Sequence, residues 1–150
     1  MLEVTSTPII LMAILGVTGM AIPIISIARK ERGNVTFYAA ISFAALFISL
    51  VFVLSQVWSE NISPAAIFSG EVLVDDTFGS LFAIAMLIVS IFTVIGSLNY
   101  MRKQSNPAIY FSLILLSSIG MVLVAYSTDL VMLFVAWELM SLPTYILAGF

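Results

Sequence analysis

Glu138 stands in an otherwise uncharged apolar run, and a carboxyl group placed there has one obvious chemistry, the uptake and release of a proton. It lies nine residues past Asp129, which at ~1.5 Å per helical residue is about 13–14 Å into a span and close to the middle of the hydrocarbon. A charge at that depth costs about 2.5–3.5 kcal/mol on insertion scales. Low dielectric disfavours the ionised form, so the group is either held neutral or faces a partner or water. Both outcomes suit a proton-exchanging side chain. Ser141 at i+3 and Tyr145 at i+7 extend a polar stripe on the same face. Pro143 has no N–H to give the carbonyl of Leu139, which predicts a kink and a water site one turn away. These features favour a proton relay or ion-binding glutamate over a structural carboxylate tied to a neighbour's hydroxyls.

The remaining chemistry is narrowed by composition. Cysteine and histidine are absent, which removes disulfides, thiolate chemistry, histidine-ligated haem, iron–sulfur clusters and nearly every zinc site from this chain. Five basic residues in two short clusters make no nucleic-acid-binding face. Asp129 reads as a helix cap at the lipid–water boundary and Arg102-Lys103 as a topology anchor. Asn61-Ile62-Ser63 fits a glycosylation sequon but reads as a chance triplet.

The elements that must position Glu138 are membrane helices. Of 150 residues, 62 % are hydrophobic and 9 % charged, and the mean hydropathy is +1.20. So few charges cannot cover a soluble globule. Five apolar stretches of spanning length run over 8–28, 35–57, 77–100, 107–127 and 129–150, and the expected fold is an all-α polytopic bundle. The external loop, 58–76, contains a short strand-like run from Gly70 to Asp76. Every Lys and Arg falls at 29–32 or 102–103, and Glu3, Glu60, Glu71, Asp75, Asp76 and Asp129 fall on the other side. The positive-inside rule then puts the basic turns in the cytoplasm and the N-terminus outside. The first stretch lacks the basic lead of a signal peptide and reads as a retained anchor. The fifth is still apolar at Phe150, so the chain is expected to be a piece of a longer protein. Small and hydroxyl residues share helix faces in three stripes: Gly16, Gly19 and Pro23; Ser42, Ala45, Ser49 and Gln56; and Gly79, Ala83, Ser90, Thr93 and Ser97. Plain helix–helix packing is the favoured reading of these stripes, ahead of a hydrated seam.

The run Asp129-Leu130-Val131-Met132-Leu133-Phe134-Val135-Ala136-Trp137-Glu138-Leu139-Met140-Ser141-Leu142-Pro143-Thr144-Tyr145 resembles the glutamate-bearing helix of the antiporter-like subunits of respiratory complex I. Its Glu-Leu-Met-Ser-Leu-Pro-x-Tyr core is most similar to chain N, whose mitochondrial counterpart is subunit 2. The segment from Phe68 to Phe78 is similar to that family's loop before the third helix. The resemblance implies a subunit of about fourteen helices with two inverted five-helix repeats. Residues 1–106 would be three lead-in helices, and 107–150 the first two helices of a repeat. It further implies that Glu138 is the proton-pathway glutamate, working opposite a lysine on a broken helix beyond Phe150. Trp137 leans toward archaeal relatives or sodium/proton antiporter subunits, so the donor stays open among NADH, a deazaflavin coenzyme, ferredoxin and hydrogen.

The reading is therefore a multi-pass cell-membrane subunit that carries protons for a complex I-like dehydrogenase, with other membrane subunits, further antiporter-like ones among them, as partners. This chain would hold no cofactor, and flavin, iron–sulfur clusters and a quinone-type acceptor would belong to other subunits. Two alternatives stand beside it. One is a subunit of a multisubunit sodium/proton antiporter or membrane-bound hydrogenase, and the other is a structural or assembly membrane protein without transport activity. A stand-alone transporter is disfavoured, because one intramembrane ionisable residue leaves no second site for alternating access.

Overall fold

A backbone in hydrocarbon must satisfy its own N–H and C=O groups, so apolar runs of spanning length fold as helices. The computed structural model of the chain describes residues 7–29, 34–58, 73, 76–104 and 106–150. Among the described residues there are five helices: α1 (Thr7–Arg29), α2 (Val35–Trp58), α3 (Thr77–Met101), α4 (Pro107–Tyr126) and α5 (Leu130–Ala148). All five are long and apolar enough to cross a membrane, as the hydropathy pattern predicts. The helix bounds lie within two residues of the expected ones, and α1 and α5 run on through Pro23 and Pro143.

α4 is the centre of the bundle. It packs against all four other helices, and thirteen of its twenty residues are buried. Among the described helices α5 packs against α4 alone, and it buries only three of its nineteen residues, Ala136, Ser141 and Pro143. In lipid, helices associate through close backbone approach and interhelical hydrogen bonds, since apolar contact with a neighbour gains little over contact with acyl chains. The small-residue stripes supply that approach. A Cβ added to Gly19 would sit 3.4 Å from the Cβ of Leu115, and the Ser112 hydroxyl donates to the Gly19 carbonyl. Ser42, Ala45 and Ser49 are buried on α2, where Gln56 is half-buried, and Gly79, Ala83, Ser90 and Ser97 are buried on α3. Thr93 departs from its stripe. It is exposed and turns its hydroxyl back onto the Val89 carbonyl.

Three hydroxyl pairs tie α3 to α4: Tyr126 to Ser80 at 3.2 Å, Ser118 to Ser90 at 2.8 Å and Tyr110 with Ser97 at 3.0 Å. Along α3 they are ten and seven residues apart, roughly 15 and 10 Å. Each pair joins the two helices directly, so the three act as clamps at separate levels of the seam.

The helix ends follow from local chemistry. Asp76 caps α3, and its carboxylate accepts from the Gly79 N–H at 2.7 Å. Gly79 has to be glycine here, since an added Cβ would meet the Asp76 carboxylate at 2.7 Å and the Ala125 carbonyl at 2.8 Å. Asn106 precedes α4 with Pro107 in its first turn, where the missing N–H is tolerated. Asp129 has the extended backbone of an N-cap for α5, but its side chain makes no capping bond. Of the strand-like run at 70–76, Leu73 forms an isolated antiparallel bridge to Ser127, in the turn between α4 and α5. Glu3, Lys30, Glu31, Arg32, Glu60, the sequon at Asn61, Phe68 to Val72, Val74 and Asp75 lie outside the described residues.

Two tests follow from this architecture. With no native cysteine to interfere, Asn106→Cys and Thr128→Cys should react with an impermeant maleimide from opposite faces of a sealed vesicle, because α4 crosses between them. Labelling of both from one face would show that it does not. Asp76→Ala removes the α3 cap and should lower stability by about 0.5–2 kcal/mol, read as an earlier thermal transition, while Asp76→Asn, which keeps an acceptor, should lose much less.

Candidate functional site

Glu138 is the ninth residue of the nineteen-residue α5 and its midpoint lies one residue further on. It is the only acidic residue inside a helix among the described residues, since Asp76 and Asp129 precede theirs. What surrounds it depends on how α4 grips α5. The two backbones meet at Gly120, where an added Cβ would press on the Met140 N, lie 2.7 Å from its Cα and lie 2.9 Å from the Ala136 carbonyl oxygen. One turn away the Ser117 hydroxyl donates to the Met140 carbonyl at 3.2 Å and pairs with the Thr144 hydroxyl at 3.1 Å. Thr144 donates to the same carbonyl at 2.7 Å. Ala136, Met140 and Thr144, at i, i+4 and i+8, therefore mark the α4-facing side of α5.

At 100° per residue, Ala136 and Met140 each lie about 160° round the helix from Glu138. The carboxylate is thus carried on the face turned away from α4. Val131, Phe134, Leu142 and Tyr145 share that face, and all are exposed, Tyr145 at 70 %. Glu138 itself is half-buried, and its carboxylate makes no hydrogen bond or ion pair among the described residues. The polar stripe expected around it is not a connected network. Ser141 is buried and spends its hydroxyl on the Glu138 backbone carbonyl at 3.4 Å. Tyr145 points from the same uncovered face and has no polar partner among the described residues. A serine hydroxyl in lipid can satisfy itself on a carbonyl of its own helix, and that is where the Ser141 hydroxyl goes.

Pro143 is buried, and its ring nitrogen withholds the bond that the Leu139 carbonyl would otherwise receive. The neighbouring Met140 carbonyl instead draws two hydroxyls, from Ser117 and Thr144. Sequence reasoning passed over Ser117, Gly120 and Thr144 as site-forming residues. The signal was present in Ser117-Ser118-Ile119-Gly120, three small residues within four that serve two sides of α4, with Ser118 turned to α3 and Ser117 and Gly120 turned to α5. Just beyond α5, the Phe150 carbonyl accepts from Tyr100 at 3.2 Å and from Gln104 at 3.4 Å, and its ring packs edge-on against Tyr110. These contacts fix the second end of the segment that carries Glu138. Among the described residues no three acidic side chains cluster as a metal site would require.

The chemistry available to this arrangement is that of a carboxyl group presented at mid-helix on a face that the described residues leave largely open. Proteins of known name are similar to the chain over most of its length. NADH-quinone oxidoreductase subunit N of Trichlorobacter lovleyi is 32 % identical over 140 residues, covering 91 % of this chain and 27 % of that protein. F(420)H(2) dehydrogenase subunit N of Methanosarcina mazei is 30 % identical over 140 residues, covering 91 % and 28 %. NADH-quinone oxidoreductase subunit N 1 of Solibacter usitatus is 31 % identical over 145 residues, covering 95 % and 28 %. The chain thus spans little more than a quarter of the length of the curated relatives it matches. No family model and no solved structure matches it.

The α4–α5 contact can be tested at its tightest point. Gly120→Ala should force α5 away from α4 and destabilise the protein by about 1–3 kcal/mol, the usual cost of overpacking. Gly96→Ala is the control, because a Cβ at Gly96 meets nothing within 4 Å. Equal melting temperatures for the two variants would contradict the close approach.

Proposed function

We propose, from the premise that this chain is a relative of the N subunits of NADH-quinone oxidoreductase and F(420)H(2) dehydrogenase, that it forms part of a proton-translocating membrane subunit of such a dehydrogenase complex. In this reading Glu138 is the group that takes up and releases the proton. The observation that carries it is the placement of one carboxylate at the centre of α5, on the face away from α4, with no partner among the described residues. A charged side chain at that depth is too costly to be kept as packing material. On an uncovered face it is available to whatever further helix or water-filled space adjoins α5.

The step itself is simple. Glu138 Oε accepts a proton in its ionised form and returns it when nearby charge changes make ionisation favourable again. The redox chemistry belongs to partner subunits, where flavin, iron–sulfur clusters and a quinone-type acceptor would reside, and the partners would include further antiporter-like membrane subunits. Residues 1–106 serve as three lead-in helices and 107–150 as the opening pair of an inverted repeat. The complex resides in the cell membrane with its basic turns at 29–32 and 102–103 in the cytoplasm, as the charge asymmetry supports.

Glu138→Gln keeps the size and hydrogen-bonding shape of the side chain and removes its ability to ionise. In vesicles carrying the assembled complex it should reduce proton translocation severalfold or more while leaving assembly intact. Glu138→Ala should do the same with an added packing defect. Full pumping by Glu138→Gln would remove the relay and leave a structural or assembly role for the chain.

A further inference from the structure

A groove of about 240 Å³ runs between α2 and α3 on the outside of the bundle, lined by no residue of α5. It extends from Thr36 to Phe43 on α2 and from Val94 to Leu98 on α3. Ala39 and Val94 are buried, and Ala40, Phe43 and Ile95 are exposed along it. Thr36 is the second residue of α2 and Leu98 lies three before the end of α3, so the groove opens at the end of the bundle where α2 begins and α3 finishes. From there it reaches about 10 Å along α2, some two-thirds of the ~15 Å hydrocarbon depth of one leaflet.

That same end carries the cations. Arg102 follows Leu98 by four residues and Ile95 by seven, and its backbone is still helical at φ −61° and ψ −21°, so it continues the groove's own helix face. Arg102 and Lys103 are exposed, and neither makes an ion pair or side-chain hydrogen bond among the described residues. Among the described residues no acidic side chain lies at this end. The rim thus offers, among the described residues, positive charge without a partner at headgroup level, above a slot lined mostly by carbon.

We propose that this groove is a binding site for an anionic phospholipid, with the phosphate at Arg102 and Lys103 and an acyl chain laid between α2 and α3. A neutral neighbouring helix would fill the slot but leave both cations unpaired, whereas one anionic lipid satisfies the apolar groove and the rim together. Basic groups at a membrane surface attract anionic headgroups by about 1 kcal/mol each, or about fivefold in affinity.

The test uses the full-length protein in its assembled complex, reconstituted in vesicles doped with photoactivatable phosphatidylglycerol or phosphatidylcholine bearing the reactive group on the acyl chain. Phosphatidylglycerol should crosslink to peptides spanning 36–43 and 94–98 severalfold more than phosphatidylcholine. The double variant Arg102→Gln with Lys103→Gln should lower that preference by up to about fivefold per charge removed, and Ala40→Phe should reduce crosslinking by filling the slot. Equal crosslinking by the two lipids in the unmodified protein would overturn the proposal. So would a groove that neither lipid labels, since another polypeptide would then occupy it.

Discussion

Everything in this bundle depends on how closely α4 can be approached. Surrounded by acyl chains, a helix gains little by exchanging one apolar neighbour for another, so position is set by backbone proximity and by hydroxyl groups that find partners. α4 provides both on three sides. Gly19 of α1 comes against Leu115 and the Ser112 hydroxyl, the α3 serines meet Tyr110, Ser118 and Tyr126, and Gly120 lets α5 in to van der Waals distance. Were these residues larger, α5 would still be an apolar helix, but its rotation about its own axis would be undefined.

That rotation decides where Glu138 is presented, and the proposed function rests on it. Because Ala136, Met140 and Thr144 are claimed by α4, Glu138 must project from the other side, among Val131, Phe134, Leu142 and Tyr145. A half-turn rotation would bury the carboxylate against α4, where the Ser117 hydroxyl could hold it as a structural group. The fold therefore separates two jobs on one short helix: one face fixes α5, and the other presents a group that can change its charge.

Much of this was legible in the residues. The lengths of the apolar runs fixed the number and bounds of the helices, since hydrocarbon allows a chain little else. The stripes at Gly16 and Gly19, at Ser42 to Ser49 and at Gly79 to Ser97 marked interfaces, because small residues at helical spacing in lipid have few other uses. Less of the candidate site was legible. Glu138 stood out by its cost, but its surroundings depended on which face of α5 met α4, and spacing within α5 is silent on that. Ser141 and Tyr145 shared its face by arithmetic, yet one turned to its own backbone and the other outward. The information lay in α4, in Gly120 and Ser117, and became readable only once the two helices were placed together. Leu73 shows the same limit: this one residue bridges to Ser127, a pairing that local pattern could not specify.

In the proposed reading the basic end of the bundle and its centre serve different purposes, one holding an anionic lipid at the leaflet surface and the other exchanging protons with α5's surroundings. The second is the central claim, and infrared difference spectroscopy of the assembled complex during turnover tests it most directly. The account predicts a protonated-carboxyl band that grows and decays with the catalytic cycle and vanishes when residue 138 is glutamine. A carboxyl signal at that position that stays constant from resting to working enzyme would contradict it.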